Sequence, residues 1–171
     1  IKALIGNGNK YGLKVSYSLE TKSLSTMGPL KLLKNLPENF LVMNGDILTD
    51  LDYGSFYKDH SSSKKLFTIS AFRREHKIDY GILEIDKKNI LTGFKEKPVE
   101  CYLVSMGIYM LNKNVLSYIP KNTPYGFDHL MYHLLEKEKS VTVREHKGQW
   151  LDIGRPDDFA MATGLAESLG N

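Results

Sequence analysis

The stretch from Glu38 to Asp50, ENFLVMNGDILTD, constrains the fold more than any other part of the chain. Four successive apolar residues, Phe40 to Met43, end at a Gly-Asp turn, the pattern of a buried strand in a parallel sheet. Ligands of open α/β sheets gather beyond the carboxyl ends of such strands, so Asp46, in the turn after Asn44 and Gly45, is aimed at the expected site. Taken alone, Asp46 has a plainer reading as a turn or helix-capping aspartate, because Gly-Asp after a strand is common.

Similar punctuation organises the rest of the chain. Val15, Tyr17 and Leu19 alternate with Lys14, Ser16 and Ser18, which predicts a strand over 14–19. Gly28-Pro29 opens an expected helix to Leu36, with Leu30, Leu33 and Leu36 on one face and Pro37 as the stop. A helix over 52–60 and a strand over 66–72 follow the Phe40 strand. The middle is strand-rich, with expected strands at 81–85, 90–94 and 104–111. Phe127, Leu130, Met131, Leu134 and Leu135 have helical spacing, a strand is expected over 141–144, and a last helix over 156–169. Alternating helices and strands with no linker or repeat predict one domain over 1–171. Its expected architecture is α/β and Rossmann-like, with a mixed, mainly parallel central sheet and helices on both faces.

At 171 residues, with 42% hydrophobic and 25% charged residues, the chain can bury a core and does not look disordered. The net charge of +3 is spread in short doublets such as Lys64-Lys65, which argues against nucleic acid as a partner. The lone Cys101 cannot form an internal disulfide or a thiolate zinc site, and no apolar stretch approaches a membrane span. These features predict a cytoplasmic protein with no membrane partner.

The second informative segment, Gln149 to Pro156, sets Asp152 between an aromatic strand end and a glycine turn, a setting like that of Asp46. Two strand-end carboxylates could bind Mg²⁺ together, since that ion takes oxygen ligands and shares them with substrate phosphates. Asp152 could instead cap a helix or pair with Arg155. In Phe94-Lys95-Glu96-Lys97-Pro98, Lys97 could neutralise a phosphate and Glu96 could accept from sugar hydroxyls, although a charged strand end before proline is the plainer reading. Gly81 offers close backbone approach, or simply starts a strand. His129 and His133 are spaced i, i+4, but no glutamate follows His129 in the zinc-protease manner, and a solvated or helix-packing role is expected.

In order, the segments 42–52, 80–86, 91–98, 105–111 and 150–159 resemble the sugar-1-phosphate nucleotidyltransferases, and the resemblance covers essentially the whole chain. It is closest to the bacterial branch acting on mannose, heptose, glucose or amino-sugar 1-phosphates with GTP, UTP or dTTP. The resemblance implies a GT-A-type fold and nucleotidyl transfer from an NTP to a sugar 1-phosphate. It makes Asp46 and Asp152 the Mg²⁺ ligands and puts Asn44 and Gly45 beside the nucleotide. Gly81, Glu96 and Lys97 would hold the sugar phosphate, Ser105 would touch the sugar, and Asp46, Lys97 and Asp152 would carry catalysis.

Two departures from the family pattern stand out. Nothing matches the glycine-rich signature that cradles the triphosphate, and the base-side motif reads Leu24-Ser25-Thr26-Met27-Gly28-Pro29, with Ser25 where relatives have glycine. The resemblance therefore implies a chain that lacks the first elements of its fold, binds NTP poorly or not at all at Ser25 and Thr26, and is inactive by itself. The missing first strand would leave an open edge for self-pairing, as in a homo-oligomer, or for aggregation. A non-catalytic NDP-sugar-binding or regulatory subunit of the same fold is the competing expectation.

Overall fold

The computed structural model describes residues 1–154, which form two compact units, one of residues 1–38 and 113–140, the other of 39–112 and 141 onward. The helix expected over 156–169, with Arg155, lies outside the described residues.

The second unit contains every described strand: β1 (Asn39–Met43), β2 (Ile47–Thr49), β3 (Phe67–Lys77), β4 (Ile82–Ile85), β5 (Leu91–Lys95), β6 (Val99–Asn112), β7 (Val141–His146) and β8 (Trp150–Asp152). Four of them make a mixed sheet in the order β1-β6-β3-β7. Only the β3–β7 pairing is parallel, whereas β6 runs antiparallel to both β1 and β3. The expectation of a mainly parallel sheet is corrected here. β3 leads into the β4–β5 hairpin and β6 returns directly from it, so β6 must run back along β3 without a crossover helix.

β6 changes character halfway. Its residues from Met106 to Leu111 are buried and those from Val99 to Leu103 exposed, and β3 is likewise buried up to Ala71 and exposed beyond Phe72. The inner halves belong to the core and the outer halves form a two-stranded arm. The sequence-based strands at 66–72 and 104–111 captured only the apolar inner halves, since the arm's polar residues carry no burial signal. Leu51, Phe56, Met106, Ile108 and Met110 form one buried cluster, with Leu41, Ile47, Phe72 and Trp150 packed against it. A fully buried Leu or Phe contributes about 1.5–3 kcal/mol through its apolar area, so this cluster is a principal anchor for β1, β2 and β6.

The long helix of this unit (Tyr53–Ser63) begins at Asp52, whose carboxylate accepts from Ser55 N–H at 3.0 Å, and stops at Lys64 with φ of 51°. Ser61 to Ser63, beyond the expected helix over 52–60, are its last residues.

In the first unit the helix over 127–136 (Phe127–Glu136) follows expectation and buries Leu130 and Leu134. The helix expected over 28–36 is only a single 3-10 stretch (Gly28–Leu32), because Leu33 is extended and Asn35 takes φ of 58° before Pro37. Residues 14–19 form no strand. The alternation is real, but a strand needs a neighbour, and this segment finds only local bonds such as Val15 N–H to Asn7 O and Tyr17 OH to Gly6 O.

Candidate functional site

After Met43 the chain turns through Asn44, Gly45 and Asp46 into β2. Asn44 N–H donates to Gly107 O at 2.9 Å, fastening the turn to the middle of β6. Gly107 has φ of +73°, and a Cβ there would lie 2.7 Å from Asn44 Nδ2 and 2.9 Å from Ile47 Cδ1. Only glycine allows this approach. β6 is bulged at the same place, for Ile69 pairs with Tyr109 while Ala71 pairs with Ser105. Ser105 Oγ accepts from Gly107 N–H at 3.3 Å and donates to Tyr109 OH at 3.2 Å, so the expected sugar contact is engaged in stitching the bulge.

β8 returns to pair antiparallel with β2, Asp152 opposite Ile47 and Trp150 opposite Thr49. The ladder continues with Ile153 N–H donating to Asp46 O at 2.8 Å, which makes the backbones of Asp46 and Asp152 near neighbours. Strand alternation sends Asp152 to the side of Ile47. Asp46 precedes β2 in the turn, where that alternation no longer fixes its side chain. Among the described residues neither carboxylate enters a hydrogen bond or ion pair. Both are oxygen donors, which suits Mg²⁺. No group of three or more His, Cys, Asp or Glu placed to hold a metal occurs among the described residues, so such an ion would complete its shell from water and substrate oxygens.

Asp50 guides β8 into place. Its Oδ1 accepts from Gln149 N–H at 2.7 Å and meets His146 Nε2 at 2.7 Å. Burial by itself would raise the Asp50 pKa, but the bonds from Gln149 and His146 outweigh it and hold the carboxyl below its ordinary value. Trp150 then donates its indole N–H to Met106 O at 3.1 Å, sets its ring 5.5 Å from Phe72, and receives the Arg74 guanidinium 5.6 Å from its centre.

Asp152 and Gly154 form one wall of a cavity of about 690 Å³, whose other described lining comes from the arm: Arg74, Glu75, His76, Tyr102 and Val104. None of these arm residues stood out in the sequence. The available signal was the alternation of Arg74 and His76 beyond Phe72, hidden because the apolar pattern ends there.

Gly81, Glu96 and Lys97 meet at one end of the β4–β5 hairpin, where Ile82 pairs with Lys95. A Cβ on Gly81 would fall 2.6 Å from the Phe94 ring and 3.2 Å from Glu96 Oε2, so this glycine is required for close approach. Lys97 is exposed with φ of 40°. Lys95, by contrast, is paired with Glu84 at 2.7 Å.

Ser25 and Thr26 belong to the other unit. Ser25 has φ of 62°, the left-handed region in which glycine rests more easily, and Thr26 Oγ1 accepts from Phe127 N–H at 2.9 Å at the start of the helix. His129 is exposed and caps the helix start, its Nδ1 accepting from Gly126 N–H, while the half-buried His133 has Nδ1 3.0 Å from Tyr125 OH.

A protein-family model described as nucleotidyl transferase matches residues 1–168. Mannose-1-phosphate guanyltransferase 2 of Candida glabrata is 32% identical over 164 residues, covering 91% of this chain and 45% of its own length. The mannose-1-phosphate guanyltransferase of Saccharomyces cerevisiae is 30% identical over the same coverage, 91% and 45%. The chain thus spans a little under half the length of these curated relatives. Among solved structures, HddC from Yersinia pseudotuberculosis complexed with GMP-PN aligns with a TM-score of 0.61 at 25% identity, over 87% of this chain and 65% of that one. A putative glucose-1-phosphate thymidylyltransferase from Bacillus anthracis aligns with a TM-score of 0.67 at 20% identity, over 96% and 70%, a likeness of fold.

Proposed function

Since the chain belongs to the nucleotidyl transferase family, that of the sugar-1-phosphate nucleotidyltransferases, we propose that the protein carrying it joins an NTP and a sugar 1-phosphate into an NDP-sugar and pyrophosphate. The yeast relatives favour mannose 1-phosphate and a guanine nucleotide as substrates. The single observation that supports this reading best is the β2–β8 pairing, which sets Asp46 and Asp152 on neighbouring backbones. The exposed, unpaired Cys101 fits a cytoplasmic setting.

A phosphate oxygen of the sugar 1-phosphate attacks the α-phosphorus of the NTP. The new P–O bond forms as the bond to the β-phosphate bridging oxygen breaks, and pyrophosphate leaves with that electron pair. A phosphate monoester has a second pKa near ~6, so the nucleophile is already charged at neutral pH and needs no general base. The obstacle is repulsion, about 4 kcal/mol for two unit charges ~4 Å apart at an effective dielectric of ~20. Asp46 and Asp152 would hold Mg²⁺, which when bound supplies positive charge at the reacting phosphates. Lys97 would neutralise the sugar phosphate, with Glu96 and Gly81 orienting the sugar at the hairpin end. Asn44 and Gly45 would lie along the nucleotide, with Ser105 keeping β6 bulged beneath the sugar.

Exchange of labelled pyrophosphate into NTP, run with a panel of NDP-sugars, should require Mg²⁺ and disappear in Asp46→Ala. Exchange surviving that substitution would reject the metal assignment. The engaged Thr26 hydroxyl and the left-handed Ser25 favour a second reading, a non-catalytic subunit that binds NDP-sugar. Calorimetry separates the two, because such a subunit would hold NDP-sugar without Mg²⁺ and release no pyrophosphate.

A further inference from the structure

We propose that Arg74 is a second cation that, in addition to Lys97, receives the phosphate of the sugar 1-phosphate in the cavity beside Asp152, and so is a substrate-binding residue supplied by the arm. The inference rests on the nucleotidyl-transfer reading above and adds to it a residue that the sequence left unmarked.

The arm's register decides which side chains face the cavity. Phe72 pairs with Val104, Arg74 with Tyr102 and His76 with Glu100, and directly opposed residues of an antiparallel pair share a face. Phe72 packs on Trp150, which fixes this face as the one turned toward β8 and Asp152. The neighbouring Arg73 points to the opposite face, where Glu145 takes it in two bonds of 3.0 and 2.9 Å. Of two adjacent arginines, one is therefore neutralised by a carboxylate and the other is not. Among the described residues Arg74 has no carboxylate or carbonyl partner; only the Trp150 ring orients it.

Among the described residues three acids line the cavity or pair across the arm. Glu100 is held by the Tyr102 hydroxyl, Glu75 alternates to the far side of β3 although it contributes to the lining, and Asp152 stands on the β8 wall. Among the described residues, Arg74 and His76 are the basic ones lining the cavity. A planar guanidinium presents paired N–H donors that match two phosphate oxygens, and stacking on an indole orients that fork at little entropic cost. Asp152 repels a bare phosphate, so an anion in this cavity has most to gain from the Arg74 side.

The chain carries a single tryptophan, and that residue is the ring beneath Arg74. Trp150 emission therefore reports on the site. The 171-residue chain is titrated, with Mg²⁺ present, with mannose 1-phosphate, glucose 1-phosphate, N-acetylglucosamine 1-phosphate and inorganic phosphate, and with mannose as the uncharged control. Calorimetry gives a second readout for variants whose emission is altered. The expected result is saturable binding of at least one sugar 1-phosphate and none of mannose. Arg74→Met should raise the half-saturating concentration about ten- to a hundredfold, the range for losing a charge-assisted bond, and Arg74→Lys should fall between. Equal binding by wild type and Arg74→Met, equal response to mannose, or no binding of any phosphate would overturn the proposal. Pyrophosphate exchange, measured on the whole protein that carries this chain, separates it from the reading beneath it. Absent exchange with intact Arg74-dependent binding sinks only nucleotidyl transfer, and exchange unchanged in Arg74→Met sinks only the Arg74 assignment.

Discussion

A single added methyl group at Gly107 would probe the narrowest point of the site. In the left-handed region an L-residue costs roughly 1–2 kcal/mol, and here the new Cβ would also press on Asn44 and Ile47. Gly107→Ala should therefore lower stability by about 2 kcal/mol or more in urea denaturation, and a loss below about 0.5 kcal/mol would show that the turn is not seated as described. The side chains that the family resemblance brings forward fall into three roles. Asp46 and Asp152 are free of described protein partners, Gly81 and Glu96 sit against each other, and Ser105 and Thr26 are engaged with the backbone. Residue type was legible in the sequence for all of them, but occupation by the fold was not, because it depends on partners such as Phe127 that lie far along the chain.

The helix over 53–63 carries its own pH dependence through His60, which is buried against β3 with Nδ1 2.8 Å from Thr68 Oγ1. Burial lowers the His60 pKa from 6.5, so between the two values the unfolded chain binds the extra proton and the folded one does not. Stability from this group is complete above 6.5 and declines as the pH falls toward the depressed folded value. His60→Gln should flatten the fall of the urea midpoint between pH 7 and pH 5, and an unchanged slope would remove His60 as its source. Elements defined by their own periodicity, such as this helix, the helix over 127–136 and β1, were readable from sequence to within a few residues. The direction of β6, the arm beyond Phe72 and the missing strand over 14–19 were not. Each depends on which strand lies alongside, and local alternation carries no information about a partner.

For the molecule as a whole, the decisive event is closure of β8 on β2 across a separation of 100 residues, where Thr49 Oγ1 donates to Gln149 O at 2.7 Å. That closure turns two unremarkable Gly-flanked aspartates into neighbours, and it is why either one alone reads as a turn residue. The similar settings of Asp46 after Gly45 and Asp152 shortly before Gly154, each at a strand end, hinted at it, whereas the pairing itself belongs to the tertiary fold. If Asp46 and Asp152 share one cation, their contributions to its binding cannot be independent, since losing either leaves the other with a weakened site. The most direct measurement is Mn²⁺ binding by electron paramagnetic resonance in the wild type, Asp46→Asn, Asp152→Asn and the double variant. The shared site predicts that each single substitution weakens binding by about tenfold or more, and that the double variant is little worse than either single. Fully additive losses, or a single substitution that leaves Mn²⁺ affinity unchanged, would contradict it.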